Sequence, residues 1–138
     1  MEYRFRGFDV TGQKGWVYGD LAHSKKILKD EPFLADRVMV GGYEVYPESV
    51  GLASGIKDMK GREIFVGDII RIYDSDNDTS FDAEVMFMHG VIGVPSRFET
   101  LTTLSFFFHF WGGKQEDNDD NEYSVEVIGT IFENNNKH

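Results

Sequence analysis

Cysteine is absent from this sequence. Its absence excludes disulfides, thiolate zinc sites, iron–sulfur clusters and cysteine nucleophiles together. Long apolar runs are absent as well, since none approaches the roughly 18 residues that a membrane-spanning helix needs. Residues 1–6 also lack the apolar core of a secretion signal. These features fit a reducing compartment, and we expect a soluble, cytoplasmic protein with no membrane contact.

Basic residues are fewer than acidic ones. The chain has 24 acidic and 14 basic residues, which gives a net charge of −10. Such a chain repels a polyphosphate unless its basic residues are gathered on one face, so direct binding to nucleic acid is disfavoured. Much of the acidic excess lies in two predicted loops, 74–80 and 114–122, and runs of this kind are typically solvated.

Aromatic residues and glycine are abundant. Aromatics make up 14% of the chain and glycine supplies 15 residues, a composition that favours strands joined by tight turns. Aromatic and charged residues alternate over 3–8, a turn follows, and 15–19 begins the return strand, which predicts a hairpin within residues 1–22. A second hairpin is predicted around the dipeptide Gly41-Gly42.

Further short strands follow, with turn signals at roughly 8- to 12-residue intervals. Residues 81–88 are typical of one strand, and 123–132 of a last strand whose break at Gly129 suggests a bulge, before a frayed tail. Only 23–36 has helical features, with a serine cap and a proline stop, although an irregular strand and loop fits it equally. We predict a single domain over 1–138, mostly β, with a barrel-like or sandwich sheet of short antiparallel strands and at most one short helix.

One acidic segment has the spacing that opens a calcium loop. Asp74, Asp76 and Asp78 alternate as the first ligands of such a loop do. Thr79 stands where glycine is required, and Val85 stands where a bidentate glutamate is required. The segment is therefore predicted to be an ordinary acidic turn.

No other segment has the pattern of a catalytic or metal site. The histidines fall on separate predicted elements and lack metal-ligand spacing; they are His23, His89, His109 and His138. The segment 51–55 matches neither a nucleophile elbow nor a phosphate loop. We expect no catalytic residue, no metal, no cofactor and no enzymatic activity. A small hydrolase or metal enzyme stays open as an alternative if carboxylates converge with His89 or His109.

The most apolar segment is an aromatic block within 104–111. Large apolar groups lie on both faces of this predicted strand, so both faces must be covered, as an uncovered strand of this kind aggregates. Without lysine or arginine, the block fits a core or a subunit interface better than a platform on which bases stack. The predicted interface residues are Phe106, Phe107, Phe108, Phe110 and Trp111.

Three segments resemble a known family. The central one, 46–73, contains Pro47-Glu48-Ser49-Val50-Gly51, then Lys57-Asp58 with Gly61 and Glu63-Ile64, and finally Gly67-Asp68-Ile69-Ile70. This pattern resembles the signature of the YopX family, proteins encoded by phages and prophages, and 6–20 and 126–134 are similar to the family's first hairpin and closing strand. The resemblance implies a β-rich fold and a viral or prophage origin in a bacterial host cell, and it supplies no catalytic residues. We interpret four residues as structural turn positions: Gly42, Gly61, Gly67 and Asp68.

The leading functional hypothesis is a non-enzymatic accessory protein that binds a host or phage protein and self-associates through the aromatic block. The alternative is a nucleic-acid-associated protein. In one form its acidic loops mimic DNA toward a host DNA-binding protein, and in the other a basic N-terminal patch contacts nucleic acid directly. The patch consists of Arg4, Arg6, Lys14, Lys25, Lys26 and Lys29.

Overall fold

The computed structural model describes residues 4–27, 34–75, 77–88, 90–95, 101–103 and 123–135. The chain divides into two compact units, a first unit of Met1–Ala53 and a second unit of Ser54–His138. The described residues form short antiparallel strands in several sheets, one short α-helix and no closed barrel. This confirms the predicted mostly-β class with at most one short helix.

The first unit has two sheets and its own core. Its strands are β1 (Phe5–Phe8), β2 (Trp16–Gly19), β3 (Leu21–Ile27), β4 (Leu34–Val40), β5 (Tyr43–Val45) and the first three residues of β6 (Gly51–Lys57), with a 3₁₀ turn at Pro47–Ser49. β1 and β2 pair from Phe5 opposite Gly19 to Phe8 opposite Trp16, which confirms the predicted N-terminal hairpin. Val17, Val40 and Val45 are buried beneath the strands.

The dipeptide Gly41-Gly42 forms the tight turn between β4 and β5, where Val40 lies opposite Tyr43. Their φ angles are +59° and +89°, the left-handed values that a type I′ hairpin turn requires. A Cβ on Gly41 would overlap the carbonyl oxygen of Tyr18, so glycine is needed there for space as well as for conformation. The second predicted hairpin is thus confirmed.

The helical reading of 23–36 is wrong for the described residues, and the strand alternative is correct. β3 and β4 pair continuously from Leu21 opposite Val40 to Ile27 opposite Leu34. Local helix formers in this segment are overridden because its cross-strand contacts satisfy the backbone of two adjacent strands. Residues 28–33, which include the predicted proline stop, lie outside the described residues.

The second unit contains the remaining strands and the helix. They are the rest of β6, then β7 (Glu63–Phe65), β8 (Asp68–Asp74), β9 (Thr79–Glu84), β10 (Met86–Met88), β11 (Val91–Pro95), β12 (Leu101–Thr103), β13 (Tyr123–Thr130) and α1 (Ile131–Asn135). Three strands form a sheet in the order β13-β8-β9, and three others in the order β10-β11-β12. The buried core of this unit consists of Ile64, Ile70, Ile72, Val85, Val94 and Val125.

The segment predicted as one strand over 81–88 is two strands that join different sheets. The break falls at Val85, which is fully buried. Its N–H donates to the carbonyl of Asp68 and its carbonyl accepts from the N–H of Gly67, each at 2.9 Å. Two successive residues thus bond to one, which interrupts the ladder and turns the chain toward the next sheet.

The last strand ends two residues earlier than predicted. The predicted bulge is confirmed, because the register of β13 against β8 shifts between Val127 and Gly129. The strand stops at Thr130, whose hydroxyl accepts a 3.0 Å hydrogen bond from the N–H of Glu133 and donates to the Glu133 carboxylate at 3.0 Å. Thr130 and Glu133 have the spacing of a capping box, which starts α1 where the sequence pattern predicted the strand end and tail.

Candidate functional site

Asp58, in the central signature, is a buried link between a turn and a distant strand. Its side chain is 3% exposed. Oδ1 accepts from the N–H groups of Lys60 and Arg62 at 2.9 and 2.8 Å, and Oδ2 accepts from the N–H of Val127 at 2.9 Å. Gly61, with φ +84°, completes the turn. The carboxylate is therefore occupied by backbone amides and serves the fold.

Gly67 and Asp68, where β8 begins, also have a structural role. Gly67 has φ +98°. Asp68 is fully buried, and its Oδ2 accepts a 2.8 Å hydrogen bond from the N–H of Phe65. Its main chain also bonds to Val85, as described above. Asp68 thus fixes the turn between β7 and β8 and lies in the interior of its unit.

Two polar side chains of the first unit also satisfy backbone groups. The Ser49 hydroxyl accepts from the N–H of Phe8 at 2.7 Å and donates to the carbonyl of Tyr46 at 2.6 Å. Asp9 accepts from the N–H and hydroxyl of Thr11 and from the N–H of Lys14. The Thr11 hydroxyl bond is the main cause that lowers the pKa of Asp9. The signature and its first hairpin are accordingly a framework of turns.

The acidic segment after β8 is the connection of the β8–β9 hairpin. The Asp74 carboxylate accepts from the side-chain amide of Asn77 at 2.8 Å, and Asp78 has a left-handed φ of +50°. Asp76 lies outside the described residues. Among the residues that the structure describes, no three histidines or carboxylates are grouped so that they could hold a metal ion.

The predicted site residues of the metal and aromatic hypotheses lie mostly outside the described residues. His23 is an exposed residue of β3. The other three histidines and the whole aromatic block, Phe106, Phe107, Phe108, Phe110 and Trp111, fall beyond the described part of the chain. The proposed aromatic interface therefore stays a prediction.

Two lysines of the predicted basic patch are paired with carboxylates. The Nζ of Lys25 lies 2.9 Å from Oδ1 of Asp36, and the Nζ of Lys26 lies 3.0 Å from Oε1 of Glu44. The Lys25 ion pair lowers the pKa of Asp36 through a hydrogen bond and Coulomb attraction. Lys29 lies outside the described residues. These pairs compensate two charges that a phosphate would otherwise attract.

The other basic residues of this patch are placed differently. The guanidinium carbon of Arg6 lies 4.5 Å from the ring centre of Trp16, and Arg6 is only 7% exposed. The Nζ of Lys14 lies 6.0 Å from the ring centre of Tyr43, at the limit of a cation–π contact. Arg4 is exposed. Arg6 is thus committed to packing within the first unit.

The solvent-side face of β8 and its neighbours carries compensated charges. Arg71 bonds Asp82 with two nitrogens, at 2.8 and 3.1 Å, and this contact lowers the pKa of Asp82. Glu126 accepts from Lys60 at 2.7 Å and from the Tyr73 hydroxyl at 3.2 Å. The Lys60 hydrogen bond is the main cause that lowers the pKa of Glu126, and Glu126 raises the pKa of Lys60. These pairs stabilise ionised carboxylates, the opposite of what a general acid requires.

Large apolar side chains are exposed at strand positions in both units. Phe81 and Phe87, on two strands of different sheets, are 47% and 55% exposed. In the first unit, Ile27 at the end of β3 is 78% exposed. The sequence pattern places Phe87 within one strand over 81–88 and Ile27 within the segment 23–36, and it indicated neither exposed position.

The chain belongs to the YopX family. The sequence model of that family, described as YopX protein, matches residues 4–137. The chain is also similar to a solved structure, that of protein EF1440 from Enterococcus faecalis. The two share 18% identity over 99% of this chain and 97% of the other, with a TM-score of 0.52, a likeness of fold alone. No curated protein matches the chain significantly.

Of the helical segments in the described ranges, none has the length and apolar character needed to cross a membrane.

Proposed function

We propose that this YopX family chain is a non-enzymatic accessory protein of a phage or prophage that binds another protein and self-associates. The observation that carries the proposal is the pair of half-exposed phenylalanines, Phe81 and Phe87, in the second unit. Two aromatic side chains in water expose apolar surface that a partner could bury. Each Å² of that surface removed from water would stabilise the complex by about 25 cal/mol. The signature carboxylates, occupied by backbone amides, support a role without catalysis.

Charge indicates the kind of protein that the second unit would bind. This unit holds 16 acidic and 7 basic residues, whereas the first unit holds 8 acidic and 7 basic residues. An apolar contact inside a strongly negative surface favours a partner whose own apolar patch is rimmed by lysine or arginine. We therefore expect a basic partner protein, whose association slows as salt screens the attraction.

The test is a pull-down from nuclease-treated host lysate, read by mass spectrometry. The tagged wild-type chain is compared with a Phe81→Ser/Phe87→Ser double variant. Tyr43→Ser is the matched control, because Tyr43 is also an exposed aromatic, at 41%, but lies in the first unit. We expect one stoichiometric protein partner with the wild type and the control, and its loss with the double variant. Equal capture by all three chains would refute the proposed contact.

A second candidate function is DNA mimicry toward a host DNA-binding protein, supported by the acidic excess of the second unit. Mimicry rests on distributed carboxylates rather than on two phenylalanines. The partner would then survive the double substitution, and DNA would displace it in competition. A partner recovered only without nuclease would instead support direct binding to nucleic acid.

A further inference from the structure

β3 is a long edge strand. It has seven residues, and in the order β3-β4-β5 no described strand lies on its outer side. β5 pairs only with Val38–Val40 of β4, so the ends of β3 and β4 extend beyond the third strand. A two-stranded ribbon is marginally stable alone, and this one ends in the exposed Ile27.

The backbone of β3 alternates between groups that bond to β4 and groups that point outward. The N–H of Gly41 donates to the carbonyl of Asp20 at 3.0 Å, and these residues continue the β3–β4 register as an opposed pair. Bonded and non-bonded pairs alternate along an antiparallel ladder. The even-numbered residues 22, 24 and 26 therefore bond to β4. The outward N–H and C=O groups belong to Leu21, His23, Lys25 and Ile27.

Lysines on an edge strand normally deter pairing with another strand. Here Lys25 is paired with Asp36 and Lys26 with Glu44, and both carboxylates lie on the inner side of β3, on β4 and β5. The deterrent is reduced because carboxylates of the neighbouring strands compensate both ammonium groups. The Ser24 hydroxyl also bonds toward β4, since it accepts a 2.6 Å hydrogen bond from Arg37.

We propose that β3 pairs with β3 of a second copy of this chain, antiparallel about a two-fold axis at Ser24. The proposal rests on the proposed self-association and names its surface. With Ser24 on the axis all seven residues pair, and Ile27 lies opposite Leu21 of the second copy. Such a pair buries apolar side chains at each end of the joined strands.

Charge and register favour an axis at Ser24 over an axis at the residue before or after it. Centred on Ser24, Lys25 lies opposite His23 of the second copy and Lys26 opposite Ala22, so no lysine faces a lysine. Moving the axis to Lys25 would set two Lys25 side chains against each other. Moving it to His23 would leave Lys26 and Ile27 unpaired. The Ser24 register alone joins the full strand without like charges directly opposed.

β9, an edge strand of the second unit, suits a second copy less well. Its side chains include the carboxylates of Asp82 and Glu84, and it belongs to the more negative unit. The second unit as a whole carries an excess of nine negative charges, 16 acidic against 7 basic residues, whereas the first unit carries an excess of one. Pairing through β3 therefore brings together the less negative units and limits repulsion between two chains of net charge −10.

Engineered cysteines test the register, because the natural chain has none. In the proposed dimer the two Ser24 residues form a non-bonded pair with Cα atoms about 4.5 Å apart, within the range of a disulfide. The two Ala22 residues would lie about 14 Å apart, beyond that range. We expect Ser24→Cys to form a disulfide dimer under mild oxidation and the matched control Ala22→Cys to stay uncrosslinked.

The oligomeric state of wild type and Ser24→Ala is measured in parallel by light scattering. The Ser24→Ala variant shows whether loss of the hydrogen bond from Arg37 by itself changes the oligomeric state. Both chains should be dimers at micromolar concentration. A dimer in which Ser24→Cys does not cross-link faster than Ala22→Cys would overturn the β3 pairing and leave self-association standing. A strict monomer would overturn both.

Discussion

Replacing Asp58 with asparagine isolates the bond between the signature turn and β13. Oδ1 accepts from Lys60 and Arg62, whereas Oδ2 alone accepts from Val127. If the asparagine oxygen takes the place of Oδ1, it keeps the bonds from Lys60 and Arg62. Its NH₂ group then takes the place of Oδ2 and faces the N–H of Val127, 2.9 Å away, as donor against donor. In the flipped orientation the NH₂ group would face two N–H donors, so the first orientation is preferred.

The magnitude follows from the bonds involved. A hydrogen bond to a charged acceptor contributes about 1.5–3 kcal/mol, and an unsatisfied buried donor costs about 1–3 kcal/mol. We expect Asp58→Asn to lower the free energy of unfolding by about 2–4 kcal/mol. Asp58→Ala also leaves the Lys60 and Arg62 amides without their acceptor, and it should be the more destabilising of the two.

Urea unfolding followed by circular dichroism measures the effect. A loss of this size moves the unfolding midpoint by about 1–2 M. Asp20→Asn is the control because it makes the same change of charge at an exposed residue, where substitutions typically stay within about 0.5 kcal/mol. If Asp58→Asn and Asp20→Asn unfold at the same urea concentration, the signature aspartate does not link the turn to β13.

Three further predictions concern other parts of the framework. Gly41→Ala should destabilise the chain by about 2–4 kcal/mol, because the new Cβ overlaps the Tyr18 carbonyl and the residue keeps a left-handed φ. Gly42→Ala has open space around its Cβ and should cost only about 1–2 kcal/mol. Equal shifts of the thermal midpoint for the two variants would contradict this. Thr130→Val should cost about 0.5–2 kcal/mol in urea unfolding by removing the cap of α1, and no loss would show that the cap is dispensable. The lowered pKa of Asp9 contributes stability that is complete above the unfolded-state pKa of about 4 and is lost as pH falls through the lower native value. Asp9→Asn should therefore lose less stability than wild type between neutral and acidic pH. Parallel profiles of stability against pH for the two chains would contradict this.

The sequence predicted best where a local pattern determines the structure. Gly41-Gly42 requires left-handed φ angles, and the alternation over β1 and β2 requires one buried face, so both hairpins could be placed. The bulge near Gly129 also had a local signal. The cap at Thr130 had one as well, since its spacing from Glu133 is that of a capping box, but the apolar residues between them resemble a continuing strand.

The helical alternative for 23–36 was wrong because helix propensity is a weak local preference. The strand alternative depended on partners such as Asp36 and Arg37, which lie further along the chain and are brought opposite Lys25 and Ser24 by the register of β3 against β4. The exposure of Phe87 could not be predicted for a related reason. Alternation shows which side chains share a face, but how far the core extends beneath that face depends on strands distant in sequence.

Residue-resolved amide hydrogen exchange over a dilution series is the most direct test of self-association through the β3 edge. In the proposed dimer every amide of β3 is bonded, either to β4 or to the second copy. Dilution should therefore speed exchange only at the outward-facing amides, namely those of Leu21, His23, Lys25 and Ile27, and should leave those of Ala22, Ser24 and Lys26 protected. Exchange rates along β3 that do not change with concentration would contradict the account.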